Sequence, residues 1–316
     1  MALAEEEKEN PELIYSMVKT EGVDAQNNTL SHQKGDNPVD GNGVEQEVLS
    51  PKGETTSNQD GRVQLKANED KKRETTVDSL TPVIDDSKSN TGVVSVKHFS
   101  NKKLKVMVIK GETKYTYDLK GDNKFQDYPL QSGDGTYKVS IMENTSGNKY
   151  RYILTVDVSV KTSNPNTQYL TSVQMISWNS SMVPIIKAQS LGNGLSDSRK
   201  VAVIYNFITN NIKYDSTLTS FPSDYVPDNE KTYDTKTGIC YDFASLTAAM
   251  LRSVGVPTKL VKGTGTNVEG YHAWNEVYVN GQWQIVDTSY DSQAKSAGVS
   301  VSMYKFPREY NAQKVY

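Results

Sequence analysis

The stretch GYHAWNEVYVNGQWQIVDTSY sets two alternating runs on either side of Asn280-Gly281, and that pair favours a two-residue β-hairpin turn because both residues tolerate positive φ. Pairing across the turn puts Val279 opposite Gln282 and, farther out, Asp287 opposite Trp274. Side chains alternate along a strand, so His272, Trp274 and Asp287 share one face, with Asp287 diagonal to His272 and within reach of it. A local rule therefore predicts a His-Asp pair. Glu276 shares that parity and reads as a solvated strand carboxylate.

The single cysteine, Cys240, lies in TGICYDFASL. Phe243, Leu246, Met250 and Val254 after it mark one helical stripe, and Gly255 and Pro257 supply the stop. Cys240 then falls in the first turn of a helix, where free N–H groups and the positive end of the macrodipole stabilise an anion. A lone cysteine is commonly a small buried hydrophobe, but that role gains nothing from this address. A nucleophile does, provided a base is near. Of the three histidines, His32 and His98 fall in other parts of the chain, which leaves His272. With Asp287 fixing one imidazole nitrogen and the other sharing the thiol proton, Cys240, His272 and Asp287 form a candidate catalytic triad. Trp274 is a candidate wall of the substrate groove, the alternative for it and for Trp283 being core. Asp242 reads as compensation of the helix dipole.

Composition divides the chain. Residues 1–90 hold one aromatic, Tyr15, and 19 Asp and Glu against 10 Lys and Arg. Such a segment buries too little apolar surface to offset its ordering entropy, so 1–90 is expected to be disordered. Residues 91–161 alternate at period two, as in Tyr115, Tyr117 and Leu119, then Tyr137, Val139 and Ile141, then Tyr152, Leu154, Val156, Val158 and Val160. Turn signals such as Gly133-Asp134-Gly135 separate the runs, and a small β-sandwich-like module is expected. Lysines 102, 103, 105, 110 and 114 crowd its early strands, either as a patch for an anionic wall polymer or, the favoured reading, as solvated edge-strand charges. TSNPN, residues 162–166, reads as a hinge into the third region, 162–316. There Asp197 or Ser198 caps a helix carrying Val201, Ile204, Tyr205 and Ile208 at i, i+3, i+4 and i+7, and a loop over about 216–236 leads to Cys240.

Several classes are excluded. The net charge is −3 overall and +6 over residues 91–316, which is no nucleic-acid footprint. No run approaches the roughly 18 apolar residues of a membrane span. One cysteine and scattered histidines argue against a disulfide framework or a structural metal, and no cofactor motif is present: Gly263-Thr264-Gly265 lacks the context of a nucleotide site. Ala2-Leu3-Ala4 before an acidic run is like the small-residue end of a secretory signal whose apolar part has been removed.

KTGICYDFASLTAAMLRSVGVPTKLVKG followed by HAWNEVYVNGQWQIVDTS resembles the transglutaminase-like superfamily in its bacterial form, with Cys240, His272 and Asp287 matching its Cys, His and Asp in order. DSRKVAVIYNFITNNIKYD is similar to the family's helix and strand before the cysteine. The resemblance implies an α+β, papain-like fold for 162–316, with the cysteine on a helix packed against an antiparallel sheet. It also implies an exported or cell-envelope, cofactor-independent enzyme that acts on amide bonds of a protein or peptide through a thioester. Animal members place a tryptophan some way upstream of the cysteine that has no counterpart here, Trp178 lying much farther off; the oxyanion donor expected from first principles is the Cys240 N–H. The alternative is a surface protein that binds a cell-wall component or protein partner without turnover. The sequence sets no oligomeric state.

Overall fold

The computed structural model describes residues 3–5, 80–218, 222 and 224–316. Residues 6–79, most of the segment expected to be disordered, lie outside the described residues, as do four positions of the 216–236 loop. Strands β1 (Leu3–Glu5), β2 (Val83–Asp85), β3 (Val93–Lys97), β4 (Leu104–Lys110), β5 (Thr113–Leu119), β6 (Gln126–Pro129), β7 (Gly135–Ser146) and β8 (Lys149–Val160) come first. They form two sheets, ordered β1-β8-β7-β4-β5 and β2-β3-β6. Val94, Val96 and Tyr128 of the smaller sheet and Val106, Tyr137, Val139 and Ile141 of the larger are buried in one cluster, which makes the module a sandwich. Two of its strands, β1 and β2, precede residue 91.

One alternation breaks. Val158 and Val160 point inward as expected, but a bulge between Ile141 and Met142 shifts the β7–β8 register, and Tyr152 is 37% exposed. An extra residue in one strand moves everything beyond it to the other face. The lysines are largely engaged: Lys105 pairs with Asp118 at 3.0 Å, Lys102 with Glu143 at 3.5 Å, and Lys110 donates to the Ser132 and Gly133 carbonyls.

The remaining elements are helices α1 (Val183–Gly192) and α2 (Asp197–Asn211), β9 (Lys213–Tyr214), α3 (Asn229–Thr235), β10 (Thr237–Gly238), α4 (Cys240–Ser253), β11 (Thr258–Gly265), β12 (His272–Val279), β13 (Gln282–Val286), α5 (Thr288–Ser296), β14 (Tyr304–Lys305) and β15 (Tyr310–Val315). The antiparallel sheet runs β14-β13-β12-β11-β15. This is the expected α+β arrangement. All four apolar positions of the α2 stripe are buried, and they meet Phe243, Leu246 and Met250 of α4 and Val277, Val279 and Val286 of the sheet. The residue flanking α2 is Ser196, one earlier than expected, and α3 sits inside the stretch read as loop, capped by the Asp228 side chain on the Lys231 N–H.

The two layers share a core. Cys240, Tyr241, Leu260, Ala273 and Tyr316 belong to the same buried cluster as the sandwich interior. Tyr115 and Tyr117 set their rings 5.5 Å and 6.2 Å from that of Tyr316. Arg252 at the end of α4, also buried, donates to the carbonyls of Thr258, Thr171 and Tyr316. Residues 162–166 thus join regions packed against one another.

Candidate active site

The hairpin has the register read from the sequence: Val279 faces Gln282, and Asn275 faces Val286. The ladder ends there. Asp287 is the next residue and caps α5, its side chain accepting from the Tyr290 N–H. A strand that ends in an Asp N-cap turns its carboxylate back over the sheet, which is how Asp287 reaches His272.

His272 Nε2–H donates to Asp287 Oδ2 at 2.6 Å, and both side chains are fully buried. The same Oδ2 accepts from the Tyr310 hydroxyl at 3.0 Å, while Oδ1 accepts from the Ser289 hydroxyl and the Tyr290 N–H, each at 3.0 Å. Burial alone would raise the carboxyl's pKa, but the charge and hydrogen bond of His272, with the bonds from Tyr290 and Ser289, hold it below the usual carboxylate range. Burial likewise disfavours a charged imidazole; Asp287, with a smaller part from Cys240, overrides it and pushes His272 up to about 10. Nε2 being taken, Nδ1 is the nitrogen left for the thiol. It makes no regular hydrogen bond, yet the Cys240 side chain is near enough to help hold the ring protonated.

Cys240 is the first residue of α4, following Ile239 in extended conformation, and it is fully buried. Asp242 reaches back to accept from the Ile239 N–H at 2.9 Å and takes the Tyr225 hydroxyl at 2.6 Å. Burial raises its pKa against these two bonds. Gly238 permits this turn, since a Cβ there would stand 2.7 Å from the Asp242 Cβ.

The structure therefore brings His272 and Asp287 into contact, with Cys240 beside the ring. Trp274, the candidate groove wall, is 1% exposed, with its ring centre 6.2 Å from that of His272 and 5.0 Å from that of Tyr310. Parity put it on the face where Val261, Ile285 and, from the neighbouring strand β15, Tyr310 and Val315 pack against it. Glu276 pairs with Lys259 at 2.8 Å across the strands. Trp178, distant in sequence, packs against the cluster that contains Cys240. Ser289 and Tyr310 escaped the sequence reading. The Asp-Thr-Ser run after β13 is an N-cap signal that points to Ser289, whereas Tyr310 carries no local signal.

Residues 186–288 match the family model of the transglutaminase-like superfamily, and that stretch of the chain, which contains Cys240, His272 and Asp287, is a transglutaminase-like domain. An uncharacterised protein of Mycobacterium leprae is 36% identical over 76 residues, covering 21% of this chain and 27% of its own length. The chain thus spans about a quarter of that relative. Among solved structures, the periplasmic domain of TgpA from Pseudomonas aeruginosa is similar at 17% identity over 65% of this chain and 70% of its own, with a TM-score of 0.33. LapG from Legionella pneumophila is similar at 21% identity over 32% and 56%, with a TM-score of 0.27, and red sea bream transglutaminase at 10% identity over 62% and 39%, with a TM-score of 0.27.

Proposed function

We propose that this protein is a cysteine-dependent amide-bond enzyme working outside the cytoplasm. The observation that carries the reading is the 2.6 Å bond from His272 Nε2 to Asp287 Oδ2, which leaves Nδ1 for Cys240. In the first half-reaction the Cys240 thiolate attacks the carbonyl carbon of a peptide or glutamine amide, and the His272 imidazolium protonates the departing nitrogen as the C–N bond breaks. Asp287 holds the ring in place throughout. In the second, water or a primary amine gives a proton to His272 and attacks the thioester, expelling the thiolate. Hydrolysis is the favoured outcome, because the sequence before Cys240 lacks the tryptophan that animal members of the family place there to help keep water from the thioester.

The rival reading is a binding protein that keeps the fold without turnover, and the complete burial of Cys240, His272 and Asp287 favours it. One experiment separates them. A glutamine-containing peptide is incubated with excess labelled primary amine and either the wild type or Cys240→Ala, and the products are followed by mass spectrometry. Deamidation or chain cleavage that vanishes in the variant supports the hydrolase, a predominant amine adduct supports a transferase, and no product from a peptide panel supports the binding protein. The place outside the cytoplasm rests on the sequence reading and is tested by cell fractionation.

A further inference from the structure

Tyr310 reaches the dyad from a strand that the sequence did not connect with it. It opens β15, where it pairs with Gly265 of β11, and its hydroxyl donates to the carboxylate oxygen that already accepts from His272. We propose that Tyr310 is a positioning residue for this site: it fixes the direction of Asp287 Oδ2 and limits how tightly the carboxylate holds the proton of His272. The proposal rests on the catalytic reading above.

Three features support it. The ring is held rather than loose, with Trp274 tilted against it at 5.0 Å and the Glu309 carbonyl accepting from the Thr266 N–H at 2.9 Å just before the strand. The strand approaches β11 closely at Gly263, where a Cβ would stand 2.0 Å from the Asn311 carbonyl oxygen and 3.0 Å from Trp274 Cη2. The hydroxyl keeps its proton, since burial and the neighbouring Asp287 both push its pKa upward; it acts as a donor. A second donor on Oδ2 draws charge from that oxygen and lowers its affinity for the imidazole N–H. His272 then parts with its proton more readily when a leaving amine arrives. A strut would need the ring alone.

The test compares Tyr310→Phe, which keeps the ring, with Tyr310→Ala in the full chain. The titration of ¹⁵N-labelled His272 is followed by NMR, alongside thermal unfolding and the rate of Cys240 alkylation by iodoacetamide. We expect Phe to hold the imidazolium to a pH higher by about half a unit or more with its unfolding temperature near that of wild type, and Ala to lose thermal stability. A His272 titration in Tyr310→Phe that coincides with wild type overturns the proposal. The catalytic reading fails separately, if His272→Ala leaves the alkylation rate of Cys240 unchanged.

Discussion

His272 Nε2 stands 2.6 Å from Asp287 Oδ2 with neither side chain exposed to water. Two opposite charges removed from solvent must stabilise one another, because either alone would be strongly disfavoured there. This ties the fold to pH.

His272 has a raised pKa, so its contribution is complete below its unfolded value of about 6.5 and is lost as pH climbs through about 10. Asp287 has a lowered one, so its contribution is complete above the ordinary carboxylate value of 3.8 and is lost as pH falls through its depressed value. The pair therefore gives most between those limits. Urea unfolding of wild type and His272→Gln should differ most near pH 5, and by at least about 1 kcal/mol less near pH 9.5. A gap that widens with pH would contradict the paired state.

The burial of Cys240 sets an expectation for labelling. Iodoacetamide should modify the thiol at least about tenfold faster than a bulky fluorescein maleimide, relative to their rates with a free thiol. His272→Ala should slow the iodoacetamide reaction near pH 7 by about tenfold or more. Equal normalised rates for the two probes would mean that the site stands open in solution.

Asp287 serves both the imidazole and the N-terminus of α5, and two substitutions separate these duties. Asn caps a helix nearly as well as Asp but supplies no charge. Asp287→Asn should retain about 1 kcal/mol more stability than Asp287→Ala, while both lose turnover of any glutamine peptide the wild type accepts, by about 10⁴-fold for the Asn variant. Chemical denaturation and initial rates measured on the same preparations check this; an active Asn variant would remove Asp287 from the mechanism.

Gly263→Ala should cost about 2 kcal/mol or more, because a methyl group would collide with the Asn311 carbonyl of the paired strand. Thermal unfolding followed by tryptophan fluorescence measures it, since Trp274 lies on the same contact. An unchanged midpoint would show that β15 can shift without penalty.

What could be read ahead of the structure follows the range of each signal. Asn280-Gly281 is a local device, and it carried the β12–β13 register as far as Val286, the residue before Asp287. The α2 and α4 stripes were equally local. Tyr310 reaches Asp287 because β15 pairs with β11, and no turn residue announces that pairing. The same missing strand left Trp274 ambiguous, since parity gives a face and not the neighbours packed there. Tyr152 went to the outer face through a bulge, and α3 was missed because seven residues hold too little periodicity to register.

The seating of Tyr115 and Tyr117 against Tyr316 bears on how this molecule is divided for study. A fragment cut at residue 162 would carry all of Cys240, His272 and Asp287, and it would bare the apolar cluster that holds the thiol. Such a piece is prone to clump or to repack around its cysteine, and a dead fragment would then be blamed on its chemistry. Excision treats the sandwich as cargo, when it is one wall of the vessel that encloses the Cys240 thiol.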